Sequence, residues 1–130
     1  MWQTVPWIFS LDGTPGTRAP HIWVEYAGKR TSTLDLFGKN FVLIAGMEGD
    51  KWCEAAKKVA ASVFVELVAY RAGPEGELLC PKGTWESLAG ILGTGALLIR
   101  PDGFVAWRSW KQPVNVREKL EMMLLQALCR

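Results

Sequence analysis

Gly93-Thr94-Gly95-Ala96-Leu97-Leu98-Ile99-Arg100-Pro101-Asp102-Gly103-Phe104-Val105-Ala106-Trp107-Arg108 is the stretch that decides the fold. Two apolar runs flank a Pro-Asp-Gly turn, so it reads as one β-hairpin. Proline presets the backbone angle of the first turn position, and glycine supplies the positive φ needed at the turn exit. Towards the C-terminus, Pro113 precedes a helix. Asn115 and Glu118 have capping-box spacing. Val116, Leu120, Met123, Leu124, Ala127 and Leu128 then make one apolar stripe.

Towards the N-terminus, Thr84 is placed to cap a short helix from Trp85 to Leu92. Arg71 to Gly83, with two prolines and three glycines, reads as a polar loop. Phe64 to Tyr70 is an apolar strand. Before it, a helix runs from about Lys51 to Val63 with Asp50 as its expected cap. Trp52, Ala55, Ala56, Val59, Ala60 and Val63 share one face, and Lys51, Glu54, Lys57 and Lys58 the other. Asn40 to Gly46 is apolar after its first residue, as expected of a buried parallel strand. Strand, helix and strand in this order make a right-handed βαβ unit.

His21 to Tyr26 alternates like a strand, Ala27-Gly28-Lys29 is a turn, and Ser32 or Thr33 caps a helical turn over Leu34–Phe37. Residues 1–20 read as an extended arm and residues 21–130 as the folded domain. The order is an N-terminal strand, β-α-β, short helix, hairpin, helix. It predicts an α/β domain of thioredoxin-like fold, with a mixed central sheet, helices on both faces and an N-terminal extension.

With 130 residues, of which 49% are hydrophobic, the chain builds one domain with a real core. A net charge of +2, without a Lys/Arg cluster, argues against a nucleic-acid partner. Apolar runs such as Phe41–Ala45 are too short to span a bilayer, so no membrane is expected. Cys53, Cys80 and Cys129 are odd in number and widely spaced, and His21 is the only histidine. That excludes a Cys/His zinc site, and no other metal site is expected. Reduced cysteines imply a cytoplasmic protein.

Three constellations could carry chemistry. Cys53 lies in the first turn of its helix, where N–H groups, with Lys51 and Lys57, favour a thiolate. His21 is the only histidine available for acid-base work, with Glu25, Asp35 or Asp102 as carboxylate partners. Trp23, Trp52, Trp85, Trp107 and Trp110 could line a pocket for a flat aromatic molecule, although core packing explains most of them equally well. Trp2 and Trp7 are hard to bury in one small domain and are expected to contact a protein partner. The glycines of Gly90–Gly95 lead into a strand rather than a helix, which is not how a phosphate loop is built.

The sequence also resembles known families. Trp52-Cys53-Glu54-Ala55-Ala56 is similar to the Trp-Cys-x-x-Cys motif of thioredoxins, with alanine in place of the second cysteine. A closer resemblance is to the C-terminal domain of flavin-dependent phenol and polyketide hydroxylases. It rests on Pro15-Gly16-Thr17-Arg18-Ala19-Pro20-His21, Ser32-Thr33-Leu34-Asp35-Leu36-Phe37-Gly38, Phe41-Val42-Leu43-Ile44, Trp52 with Ala55-Ala56, and Ile99 to Arg108. That resemblance implies a thioredoxin-like domain without redox function, supporting assembly or interdomain packing. The Gly-x-Gly-x-x-Gly fingerprint of an FAD domain is absent, so no cofactor is expected. The initial Met fits either a free-standing product or part of a longer hydroxylase.

The expected function is therefore a non-redox interaction or dimerisation domain, not an enzyme by itself, and associated with aromatic-ring hydroxylation in secondary metabolism. Its partner would be a second copy or a flavoprotein hydroxylase. The alternative is a small cofactor-free isomerase, cyclase or dehydratase acting on an aromatic or polyketide ligand through His21 and an acid. A third reading is a monothiol redox protein using Cys53.

Overall fold

The computed structural model describes residues 15–128. Trp2, Trp7 and Cys129 lie outside them. The hairpin forms as expected. Strand β6 (Ala96–Ile99) pairs antiparallel with β7 (Val105–Ser109). The Gly103 N–H donates to the Arg100 carbonyl at 2.9 Å, and Gly103 takes a φ of 87°. Leu98 faces Trp107 while Ile99 faces Val105, so β7 holds one extra residue, a β-bulge that bends the strand just after the turn.

The other strands are β1 (Trp23–Tyr26), β2 (Lys29–Ser32), β3 (Phe41–Ala45), β4 (Leu67–Gly73) and β5 (Leu78–Leu79). Together they form one sheet in the order β2-β1-β5-β4-β3-β6-β7. β3 pairs parallel with β4 and antiparallel with β6, so the sheet is mixed. Every residue of β3 is buried. Successive side chains point to opposite faces, so β3 feeds two cores. Phe41, Leu43 and Ala45 pack with α1 (Asp50–Val63) and α3 (Val116–Leu128). Val42 and Ile44 pack with α2 (Thr84–Ala89) on the other face.

Several boundaries differ from the sequence reading. Asp50 is the first residue of α1, and Gly49 occupies the cap position with no side-chain bond. Phe64 does not begin a strand. It ends α1 in the left-handed conformation with its side chain exposed, and β4 starts only at Leu67. The polar loop expected at Arg71–Gly83 contains the end of β4 and all of β5, because Leu78 is fully buried and anchors it. Thr84 belongs to α2 and Gly83 is its cap; the helix stops at Ala89. β2 carries no apolar period because most of it faces water, yet it pairs with β1 through a two-residue turn at Ala27 and Gly28, both at positive φ.

The described part of the N-terminal arm packs on the hairpin. Gly16 N–H donates to Val105 O, Val105 N–H to Thr17 O and Ala19 N–H to Gly103 O, all within 2.8–2.9 Å. Ala19 and Pro20 are buried.

Candidate functional site

The Arg18-Ala19-Pro20-His21 segment crosses from the hairpin turn to β1 and is held there by one buried hydroxyl. Thr33, fully buried at the start of a 3₁₀ turn (Thr33–Leu36), donates from Oγ1 to Pro20 O at 3.0 Å. The same Oγ1 accepts from the Ile22 N–H at 3.1 Å, and the Thr33 N–H donates to Ile22 O at 3.0 Å. Three bonds to one residue fix the crossing. Its two apolar residues turn inward, and its two polar residues, Arg18 and His21, are displayed on the surface.

Both displayed side chains line an open groove of about 310 Å³. Leu34, Phe37 and Pro101 supply its apolar lining, and Asp102 reaches it from the hairpin turn. The Asp102 carboxylate is already committed. One oxygen pairs with the Arg100 guanidinium and the other accepts the Phe104 N–H at 3.1 Å. His21 and Asp102 thus share a groove, but Asp102 closes the turn. The His21 ring meets Trp23 edge-on at 5.2 Å. The Arg18 guanidinium lies over Phe104 at 5.1 Å and that of Arg30 over Trp23 at 4.4 Å.

Cys53 is half-buried in the first turn of α1. Burial pushes its thiol up to about 11, with Glu77 adding to the rise. The thiolate expected from the helix terminus is therefore disfavoured, because lost hydration outweighs the attraction of Arg71 and Lys57. Ala56, at the place of a second sulfur, is buried against the sheet. Cys80 is also pushed up by burial.

The proposed tryptophan pocket does not form. Trp52 and Trp85 are both fully buried, but on opposite faces of the sheet. Trp107 packs edge-on against Trp52 at 6.0 Å. Trp52 Nε1 donates to Thr94 O and Trp85 Nε1 to Ile44 O, so both indoles serve the core. Trp23 and Trp110 are exposed at separate places. The cofactor-free enzyme reading loses its tryptophan pocket by this correction, and His21 lies exposed in the open groove beside an Asp102 that is committed to its own turn.

Sequence reasoning did not find a second cleft, of about 700 Å³, at the carboxyl end of β3 and β4. Glu48, Arg71, Lys82 and Glu86 line it from four separate segments, which is why no spacing signals it. Glu86 Oε2 accepts the Met47 N–H at 3.0 Å, while Oε1 is buried without a hydrogen-bond partner among the described residues. Arg71 is turned towards Glu77, 3.6 Å away. Among the described residues, no group of three or more His, Cys, Asp or Glu could hold a metal ion, and no helix is long and apolar enough to cross a membrane.

Residues 12–130 match the family model described as aromatic-ring hydroxylase, C-terminal. The chain belongs to this family. The tetracenomycin A2 monooxygenase-dioxygenase of Streptomyces glaucescens is 41% identical over 128 residues, which are 98% of this chain and 23% of that protein. The aklavinone 12-hydroxylase RdmE of Streptomyces purpurascens is 42% identical over 118 residues, 91% of this chain and 22% of that protein. Among solved structures, an aklavinone-11 hydroxylase in complex with FAD and aklavinone superposes with a TM-score of 0.85 at 40% identity, covering 93% of this chain and 22% of that one.

The aromatic-ring hydroxylase C-terminal domain thus spans between a fifth and a quarter of the length of these relatives. The glycine run before β6 does not form a loop that could hold the pyrophosphate of a flavin dinucleotide. In the glycine run before β6, a Cβ on Gly95 would lie 2.4 Å from Trp110 O and 2.5 Å from Ser109 O. That glycine is there for backbone packing, and the space a pyrophosphate would need is filled.

Proposed function

We propose that this chain is the non-redox, thioredoxin-like interaction domain of an FAD-dependent aromatic hydroxylase, acting on polyketide or phenolic rings in secondary metabolism or aromatic catabolism. The observation that carries the reading is the alignment itself. Nearly all of this chain matches, yet it accounts for only 23% of the tetracenomycin enzyme. The chemistry of the domain supports a structural role. A dithiol needs two sulfurs within bonding reach, and Ala56 stands where the second would be. The remaining thiol at Cys53 is held neutral at physiological pH. The domain would work in the reducing cytoplasm, through self-association or by packing on a flavoprotein. Trp2 and Trp7, outside the described residues, are proposed as further contacts.

Light scattering of the purified chain, alone and mixed with an intact hydroxylase of the tetracenomycin type, tests this reading. A dimer or a mixed complex is expected. A strict monomer that binds no hydroxylase, or turnover in an insulin-reduction assay, would overturn it.

A further inference from the structure

We propose that the groove between the Arg18–His21 crossing and the hairpin turn is the docking site for an acidic, aromatic-bearing segment of the flavoprotein body. This rests on the reading of the chain as a hydroxylase domain. Three observations select this groove and this occupant. The first is connectivity. The family is a C-terminal one and the relatives are more than four times as long, so their remaining mass precedes the matched segment. The family match starts at residue 12, and residues 16–19, just after that start, are hydrogen-bonded along the hairpin and lead into the groove.

The second is rigidity. Thr33 fixes the backbone from Pro20 to Ile22 with three hydrogen bonds. Arg18 and His21 are therefore displayed from a preorganised support, and less ordering entropy is lost on binding. The third is chemistry. The acid in the groove, Asp102, is neutralised by Arg100 and by the Phe104 N–H. Among the described residues the Arg18 guanidinium meets only the face of Phe104, which leaves the edge of its fork open to a carboxylate. Leu34, half-exposed, and Phe37 offer an apolar surface, and the neighbouring Trp23 is 52% exposed under Arg30. Exposed Trp and Arg on a fixed backbone are the residue types that dominate binding energy at interfaces.

The test starts with the intact ¹⁵N-labelled chain and a synthetic peptide, Ac-Asp-Asp-Trp-Glu-Phe-amide, followed by NMR. Saturable shifts are expected at residues 18–21, 34–38 and 101–104. Arg18→Glu, and an Asn/Gln version of the peptide, should each weaken binding by about tenfold or more, the loss of one charge-assisted contact. Arg18→Gln keeps the stem on Phe104 and serves if the reversal unfolds the chain. Glu48→Lys, at the far end of the sheet, should change little. Shifts centred on the Glu48–Arg71 cleft, or none at millimolar peptide, would overturn the proposal. A second arm replaces the matching segment of the tetracenomycin A2 enzyme with this chain. If that chimaera retains FAD, Arg18→Glu should split its single thermal transition in two, and an unchanged transition would overturn the groove. If the unsubstituted chimaera holds no FAD, the hydroxylase-domain reading fails, and the groove is then judged by the peptide alone.

Discussion

Thr33 carries more of this structure than its size implies. Its hydroxyl both accepts and donates inside a dry environment, joining the Arg-Ala-Pro-His crossing to the 3₁₀ turn. Thr33→Val keeps the shape but leaves the Ile22 N–H and the Pro20 carbonyl without that partner. A loss of about 1–3 kcal/mol is expected, read as a lower urea midpoint with an unchanged slope, and Thr33→Ser should recover most of it. Cys53 makes the opposite point about a side chain that looks reactive. Its folded thiol is pushed up to about 11 from 9.0, so folding favours the neutral form. The stability it contributes is complete below the unfolded value and is lost as pH climbs from about 9 towards 11. Unfolding midpoints measured between about pH 8 and pH 11 should fall less in Cys53→Ala than in the parent. Alkylation of Cys53 should remain slow at neutral pH.

At the scale of elements, α3 depends on its first turn. Asn115 Oδ1 accepts the Glu118 N–H at 3.1 Å and Asn115 Nδ2 donates to Glu118 Oε2 at 2.9 Å. The capping box read from the sequence is present, closed side chain to side chain. Asn115→Ala should cost about 1 kcal/mol, and helix loss should show first in the amides of residues 116–119 by hydrogen exchange. The connection into β6 depends on an absent side chain. Because Gly95 lies against two carbonyl oxygens and Ile91, Gly95→Ala forces the backbone apart. A drop in Tm worth at least about 2 kcal/mol is expected, from steric contact alone; an alanine at Gly28, where a Cβ meets nothing within 4 Å, should cost only the strain of its positive φ, about 1–2 kcal/mol.

At the scale of the molecule, a single sheet separates two cores, each built around one fully buried tryptophan. Trp52→Ala or Trp85→Ala should each cost about 3–5 kcal/mol, a large share of the total stability of a domain this size. Both variants should lose cooperative unfolding together by near-UV circular dichroism and by fluorescence. Independent melting of the two faces would show that β3 does not couple them.

The buried strands, the amphipathic faces of α1 and α3, the Pro-Asp-Gly turn and the Asn115–Glu118 cap were legible in the sequence, because each is set by local spacing. So was the family, carried by short motifs spread from Pro15 to Arg108. Elements with little apolar pattern were not legible: β2 pairs through its backbone, and β5 is two residues held by one buried leucine. The sites were the least legible. Which face each tryptophan takes, whether Asp102 is free or spent on its own turn, and whether Cys53 is hydrated all depend on residues distant in the chain. Local periodicity determines the elements of this protein. Only the packing of those elements decides which polar groups are neutralised and which, like Arg18 and His21, are left facing out.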